Sequence, residues 1–201
     1  MIRFREDFGY WWPDYDHKPE VCFGLVTRNL LDIAGTVKLC RHRRVCVQAG
    51  AHAGLWPQAL SESFGMVYAF EPDVPLFECA KLNIKATNVY LSQEALGAKE
   101  GRALLQRRSS AGSSRIDDVS GDSVDVTTID SLDLNHCDAI FLDVEGYEVE
   151  ALTGALRTID RFNPVLHLEE LDRSAADIQR MVKDLGYKKH HKVHKDTVYT
   201  R

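Results

Sequence analysis

The sequence lacks an uninterrupted apolar run of about 18 residues, which a helix needs to cross a membrane. Its first residues, MIRFREDFGYWWPDYD, also lack the apolar core and small-residue cleavage site of a secretory signal. There is no long basic stripe, and the net charge is −5, so the composition does not indicate nucleic-acid binding. We therefore expect a cytoplasmic protein with no nucleic-acid or membrane partner.

Cysteine is sparse and has none of the spacings that mark a zinc site. The number is odd, and no pair forms C-x-x-C. The residues are Cys22, Cys40, Cys46, Cys79 and Cys137. We expect buried free thiols, as in a reducing compartment.

One basic cluster lies near the end of the chain. Its members are Lys188, Lys189, Lys192 and Lys195, with His190, His191 and His194. Lysines often protect the exposed edge of a sheet, so a solvated hairpin edge is one interpretation. A patch that meets an anionic substrate is the other.

The composition is that of a globular chain, with 44% hydrophobic and 27% charged residues over 201 positions. That length suits one domain with a proper core. We expect an N-terminal arm or cap and a helix over residues 1–40. The main domain is expected over residues 41–201.

Short apolar runs alternate along the chain with segments of helical spacing. Strands are expected at 44–49, 66–70, 88–92, within 137–144 and at 165–169, and helices at 22–40, 55–64, 74–86, 147–159 and 175–185. Residues 124–129 are expected to form an edge strand or a bridging segment. Residues 97–123 are expected to hold at most a short strand near 103–106 and a loop, and 187–193 with 197–200 to form a closing antiparallel hairpin. This alternation predicts an α/β protein with a mainly parallel, doubly wound, Rossmann-like sheet.

The segment Gly50-Ala51-His52-Ala53-Gly54 falls between a strand and a helix and carries little side-chain bulk. Such a backbone can approach a ligand closely at a helix N-terminus, although tight helix–strand packing explains it as well. Glu71 ends the next strand, about 20 residues after Gly50, the offset at which an acid binds ribose hydroxyls. A helix-capping acid is the alternative, but Asp73 already suits that position.

Acidic residues also follow the expected fourth and fifth strands. Asp143 and Glu145 would face the Gly50 loop across the crevice of the sheet, where either could serve as a base or orient a substrate. Capping of the next helix is the alternative. His167 and Glu169 share one face of a strand, and with Asp143 they could form a proton relay or a divalent-metal site. A core histidine explains His167 as well, and we predict no bound metal.

An arm rich in aromatic residues lies near the N-terminus. It contains Trp11, Trp12, Pro13, Tyr15 and His17. This arm could stack on a sugar or close over a cofactor. It could equally pack as a structural flap or form a dimer contact. The residues alone favour none of these.

Five segments occur in an order that resembles a known family. They are VQAGAHAGLWPQAL, VYAFEPD, SQEALGAKEG, FLDVEGYEVEALTGA and PVLHLEEL, over about residues 44–170. They resemble the FkbM family of S-adenosylmethionine-dependent methyltransferases, with E-P-D and D-V-E-G-x-E as the more specific elements. The resemblance implies the class I methyltransferase fold, S-adenosyl-L-methionine as cofactor, and methyl transfer to a hydroxyl of a small molecule, such as a sugar.

The resemblance also implies roles for individual residues. The implied cofactor site comprises Gln48, Gly50, His52, Gly54, Glu71, Glu94, Ala95, Leu96 and Asp143. Within it, Glu71 would hold the ribose, and Glu94, Ala95 and Leu96 would border the adenine. By the resemblance, Asp143 and Glu145 would face the reacting centre. Our own expectation is that one of them, or His167 as a second choice, is the catalytic base.

The sequence departs from the family pattern at three positions. Gln48 and His52 replace the acid and the asparagine of D-x-G-A-N-x-G, and Phe141 replaces a frequent lysine. Gln48 can still bond to a cofactor amino group, but without charge. Two alternatives to a methyltransferase are considered: a nicotinamide-dependent oxidoreductase, although G-x-G-x-x-G is absent, and a non-catalytic binding protein.

Overall fold

The computed structural model describes residues 1–117 and 119–201. In chain order, the strands are β1 (Ile2–Arg5), β2 (Tyr10–Pro13), β3 (Val45–Ala49), β4 (Met66–Phe70), β5 (Val89–Ser92), β6 (Ala95–Leu96), β7 (Gly101–Gln106), β8 (Arg115–Asp117), β9 (Asp122–Thr127), β10 (Ala139–Leu142), β11 (Val165–Glu169), β12 (Lys188–Val193) and β13 (Asp196–Thr200). The helices are α1 (Pro19–Leu39), α2 (Leu55–Ser61), α3 (Val74–Asn83), α4 (Glu148–Thr153), α5 (Leu156–Phe162) and α6 (Ala175–Asp184).

A seven-stranded sheet organises the chain, in the order β12-β13-β11-β10-β3-β4-β5. Strands β3, β4, β5, β10 and β11 pair in parallel, whereas β13 runs antiparallel to both β11 and β12. Strand β3 lies between β4 and β10. Strands β4 and β5 extend the sheet on one side of β3, and β10 and β11 extend it on the other, so the strand order reverses at β3. Ligands of open α/β sheets bind at the carboxyl ends of the strands that flank such a switch point.

Helices cover both faces of the sheet, which explains why its central strands are continuous apolar runs. On one face, Ile159 of α5 and Ile178 of α6 share a buried cluster with Leu166 of β11. On the other face, Val37 of α1 and Leu60 of α2 pack in a second cluster. The predicted Rossmann-like class I methyltransferase fold, with its C-terminal antiparallel hairpin, is confirmed.

The N-terminal arm is more ordered than its irregular sequence suggests. Strands β1 and β2 form an antiparallel hairpin in which Phe4 faces Trp11, with ring centroids 5.8 Å apart. Trp12 is 1% exposed and joins a buried cluster with Ala53 and Leu76. The side chain of Asn83 bonds to both the N–H and the carbonyl of Trp11, at 2.9 Å each. These contacts give the arm the position of a structural flap.

The expectation of one short strand and a loop over residues 97–123 is wrong. Strands β7, β8 and β9 join β6 in a second sheet, in the order β6-β9-β7-β8. One face of this sheet is open to solvent, so its strands are polar and lack a continuous apolar run. The sequence pattern indicated β7 and β9 in part, but not β8 or the sheet that these strands form.

The single helix expected over 147–159 is also wrong, because the segment divides into α4 and α5 at Gly154. An added Cβ atom at Gly154 would lie 2.0 Å from the carbonyl oxygen of Gly97. The carbonyl of Gly154 accepts a hydrogen bond from the N–H of Asp130 at 2.8 Å. The break lets the second sheet pack directly against the helix layer.

The basic cluster lies mainly on the closing hairpin. Lys188, Lys189 and Lys192 are exposed on β12, the edge strand, as expected for the solvated interpretation. The five cysteines are buried and free, as predicted. Within the described ranges, no helix has both the length and the apolar character that a membrane span requires.

We expect Gly154→Ala to lower the free energy of unfolding by about 2 kcal/mol or more, because its methyl group would overlap the Gly97 carbonyl. The backbone is not the reason, since Gly154 has φ −77° and alanine adopts that value readily. Urea denaturation measures the change.

The matched control is Gly24→Ala in α1, where an added Cβ atom meets nothing within 4 Å. Alanine is the better helix former, so this variant should be at least as stable as the parent. Equal effects of the two substitutions would contradict the proposed packing.

Candidate functional site

A cavity opens at the carboxyl ends of β3, β4, β10 and β11. Its walls include residues from each of these ends, namely Gly50, Glu71, Asp143 and Glu169. The sheet topology brings them together, because the ends of parallel strands share one edge. Glu71 and Gly50 therefore lie on the same rim.

The loop after β3 touches the loop after β10. Gly50 has φ +81°, a conformation that favours glycine, and an added Cβ atom would lie 1.9 Å from the Asp143 carbonyl oxygen. The N–H groups of Gly50 and Ala51 donate to the Phe70 carbonyl, at 3.0 and 2.9 Å. A glycine at this position thus lets three strand ends converge.

Glu71 is a buried carboxylate that organises the rim of the cavity. Its Oε2 accepts the N–H of His52 at 2.7 Å, and its Oε1 accepts the N–H of Asp73 at 2.9 Å. Burial raises the pKa of Glu71 to about 8, against the opposing effect of these two N–H groups. Each oxygen keeps a lone pair for a further donor.

His52 is held in a constrained position beside Glu71. Its φ is +53°, uncommon for a residue with a side chain, and its ring lies 5.0 Å from that of Trp12. Its Nε2 is 3.6 Å from the Sγ of Cys22. Burial lowers the pKa of His52 to about 4 and raises that of the Cys22 thiol to about 12, so both groups are neutral.

The expected adenine-side residues also line the cavity. Glu94, Ala95 and Leu96 follow β5, and the Ser92 hydroxyl donates to Glu94 Oε2 at 2.5 Å. Ala95 and Leu96 are nearly fully buried, as is Phe70. Together they form an apolar slot with one polar edge.

Three acids line the cavity at the carboxyl ends of β10 and β11: Asp143, Glu145 and Glu169. Burial raises the pKa of Asp143 well above its usual range, and the charge of Glu169 is the second cause. Burial likewise raises the pKa of Glu169 to about 8 and also raises that of Glu145. The acids thus penalise one another's charge unless a positive group joins them.

The turn that carries Glu145 is strained. Glu145 has φ +53°, and the following Gly146 has φ +98°. The Arg173 side chain stabilises the turn by donating to the Glu145 carbonyl oxygen at 2.5 Å. Left-handed backbone at a residue with a side chain costs free energy and is concentrated at functional sites.

Three predicted site residues do not line the cavity. Gln48 is fully buried and its amide donates to the carbonyls of Ala49 and Gly50, at 3.1 and 2.8 Å. Gly54 packs below the loop, where an added Cβ atom would lie 2.9 Å from the Cα of Ala80. Both residues therefore shape the loop from behind.

His167 is the third, and it is 1% exposed. Its Nδ1 lies 2.7 Å from the Thr36 hydroxyl, and its Nε2 lies 3.2 Å from a carboxylate oxygen of Asp196, which does line the cavity. Phe141 packs beside His167 and across from Gln48 in the sheet. These positions belong to the core and not to the cavity wall.

Sequence reasoning missed a cluster that attaches the arm to the cavity rim. Asp73 is fully buried, accepts the Tyr15 hydroxyl at 2.6 Å and pairs with Arg107 at 2.8 Å. Arg107 also contacts Asp122 of β9, at 3.1 Å. The partners are far apart in the sequence, so no local pattern announces them.

Trp11, Trp12 and Tyr15 are absent from the cavity lining in the described part of the chain. Their contacts with Asn83, His52 and Asp73 are those of packing. Of the roles considered for the arm, the structural flap is the one with direct contacts to support it.

The residues on the rim suit an adenosyl group. The carboxylate of Glu71 offers acceptors for ribose hydroxyls, the Glu94–Leu96 slot suits an adenine ring, and the Gly50 loop leaves room for backbone approach. The sequence profile of the Methyltransferase FkbM domain matches residues 48–189. The chain belongs to the FkbM methyltransferase family.

Solved structures share the fold of this FkbM-family chain. An FkbM methyltransferase of Methylobacillus flagellatus superposes with a TM-score of 0.58 and 20% identity over 79% of this chain. The present chain spans only 43% of that protein. No curated protein matches the sequence at a significant level.

Two further structures carry the cofactor or its product. Magnesium protoporphyrin IX methyltransferase of Synechocystis PCC 6803, with bound S-adenosylmethionine, has a TM-score of 0.51 and 12% identity, over 87% of this chain and 78% of that one. A Streptococcus mutans methyltransferase in complex with S-adenosylhomocysteine has a TM-score of 0.53 and 14% identity, over 84% and 94%. At these low identities, the comparisons show a shared fold.

We expect Arg107→Met to destabilise the protein by about 3 kcal/mol, because it leaves the fully buried Asp73 carboxylate without its cation. Chemical denaturation measures the loss. The control is Arg102→Met on β7, where the exposed arginine lies 3.7 Å from an exposed Asp125 and should contribute little. Similar losses of stability in both variants would show that the Asp73–Arg107 ion pair does not stabilise the attachment of the N-terminal arm.

Proposed function

We propose that this protein is an S-adenosylmethionine-dependent methyltransferase that methylates a hydroxyl oxygen of a small molecule. The observation that carries the proposal is one cavity lined by Glu71 and the Gly50 loop together with Asp143 and Glu145. Membership of the FkbM family supports the methyltransferase over the nicotinamide-dependent oxidoreductase. Structures of fold relatives with bound S-adenosylmethionine or S-adenosylhomocysteine support the cofactor.

When bound, the cofactor supplies an electrophilic methyl group on a sulfonium. Glu71 holds the ribose, and Glu94, Ala95 and Leu96 border the adenine. The acceptor oxygen would take this methyl group, and sulfur would keep the electrons of the carbon–sulfur bond. Asp143 or Glu145 accepts the hydroxyl proton, and the nearby carboxylates favour the positively charged sulfonium.

The acceptor side of the cavity fits a molecule with several hydroxyl groups, such as a sugar. Asn29 Oδ1 is buried in the cavity wall without a hydrogen-bond partner among the residues that the structure describes. Arg28 and Arg115 also line this side. A buried polar atom without a partner costs free energy, and a polyhydroxyl acceptor would satisfy it.

The acceptor oxygen is tested by incubating the protein and tritium-labelled S-adenosylmethionine with hydroxylated small molecules, sugars included. We expect label in an alkali-stable methyl ether. Label on nitrogen or carbon, or no transfer from a cofactor that binds, would overturn the O-methyl assignment. The last result would favour the non-catalytic binding protein.

We expect the affinity for S-adenosylhomocysteine to increase by up to about tenfold between pH 7 and pH 9. The pKa of Glu71 is about 8 in the free protein, so the carboxyl is mostly protonated at pH 7. Ribose hydroxyls bind the ionised form better, so binding should release a proton at pH 7. Calorimetry in two buffers of different ionisation enthalpy measures that proton.

Glu71→Gln should weaken the binding of S-adenosylhomocysteine by about tenfold or more, because the amide carries no charge. It should also remove the part of the pH dependence that comes from Glu71. Glu78→Gln on the exposed side of α3 is the control and should behave as the parent does. Retention of the full proton release in Glu71→Gln would refute the ribose-binding role. Any proton lost by the ligand itself occurs equally in both proteins.

A further inference from the structure

Two strand ends place three carboxylates against one another on the acceptor side of the cavity. Asp143 and Glu145 follow β10, and Glu169 ends β11. One oxygen from each lies within 4.8 Å of an oxygen from both others. Like charges at this separation repel, so the arrangement is costly unless a cation joins it.

Glu169 supplies an independent indication. It is 5% exposed, it lines the cavity, and its Oε2 is buried with no hydrogen-bond partner in residues 1–117 or 119–201. Buried carboxylate oxygens are normally satisfied. The neighbouring Glu170 shows the contrast, because the Tyr199 hydroxyl and the Gln179 amide both donate to it.

Two basic side chains lie within about 4 Å of these acids, and Lys195 and Arg115 also line the cavity. Lys195 Nζ lies 3.6 Å from Glu169 Oε1, but the lysine side chain is 68% exposed. Arg173 Nη2 lies 4.0 Å from Glu145 Oε2 and uses its short hydrogen bond on the Glu145 carbonyl. Neither is within salt-bridge distance of Asp143 in the described part of the chain.

We propose that Asp143, Glu145 and Glu169 together bind one divalent cation of the hard, oxygen-preferring class, such as Mg²⁺, Mn²⁺ or Ca²⁺. Oxygen ligands on opposite sides of such an ion, at about 2.1–2.4 Å from it, are separated by up to about 4.8 Å. The separations of the three acids are within this limit and are therefore compatible with one coordination shell. All-oxygen ligation also favours these ions over zinc or copper.

The ion also indicates the class of acceptor, and this step rests on the proposed function. All three acids line the same cavity, so the open coordination positions are accessible to a bound molecule. An acceptor with two adjacent oxygens, such as a vicinal diol or a hydroxy acid, would complete the shell. Carboxylate oxygens that do not bind the ion remain available to accept the hydroxyl proton.

The test uses the full chain after treatment with a chelator, titrated with Mn²⁺ and followed by calorimetry and by the electron paramagnetic resonance of free Mn²⁺. We expect saturable binding of one ion. Asp143→Asn should weaken it by about tenfold or more, because it removes a charged ligand. Asp125→Asn, an exposed acid of β9, should leave it unchanged.

Glu169→Gln provides a second variant of nearly the same shape, in case Asp143→Asn fails to fold. Mn²⁺ should raise the melting temperature of the parent and of Asp125→Asn but not that of Glu169→Gln. Absence of saturable binding to the parent would overturn the proposal. So would equal affinity of the parent and a folded ligand variant.

The cation site and the proposed function fail separately. Mn²⁺ binding without S-adenosylhomocysteine binding would support the site and contradict the methyltransferase. Binding of S-adenosylhomocysteine without Mn²⁺ binding would do the reverse. If both bind, transfer to a vicinal diol that is lost on chelation and restored by Mn²⁺ supports the acceptor class, whereas equal transfer to isolated hydroxyls overturns it.

Discussion

The contact between Gly50 and the carbonyl of Asp143 sets the geometry of the cavity. It joins the ends of β3 and β10, and the N–H groups of the same loop bond to the carbonyl of Phe70 at the end of β4. A side chain at position 50 would have to occupy the space of a backbone oxygen and adopt φ +81°. Separation of these loops would part the ribose-binding rim from the acids that face the acceptor.

Two buried carboxylate systems follow from this convergence, and they are treated differently by their surroundings. Glu71 receives two backbone N–H groups, which fix its direction and leave lone pairs toward the cavity. Asp143 and Glu169 receive much less support, and burial, with the charges of neighbouring carboxylates, raises the pKa of both. The first arrangement suits neutral hydroxyl donors, whereas the second suits a positive charge. One cavity thus has a part that suits a nucleoside and an acidic part that suits a positively charged group.

Much of the fold was predictable because it depends on local patterns. The apolar runs of β3, β4, β10 and β11 are buried on both faces, so each is visible in the sequence. The second sheet was visible only in part: segments of β7 and β9 were expected, but β8 and the pairing of these strands were missed because the strands expose one polar face. The break at Gly154 was missed for another reason: it depends on the Gly97 carbonyl, which only the tertiary fold brings within 2.0 Å of an added Cβ atom.

The sequence by itself determined the order of strands and helices, the glycine loop and the acids at the strand ends, since each lies within a short segment of regular pattern. Tertiary structure decided which of those residues share a cavity. In the folded protein, His167 lies in the core beside Thr36, and the Gln48 amide bonds to backbone carbonyls. Glu169 lies close to Asp143. The physical reason is that side-chain direction and long-range pairing depend on packing between elements, which local spacing does not specify.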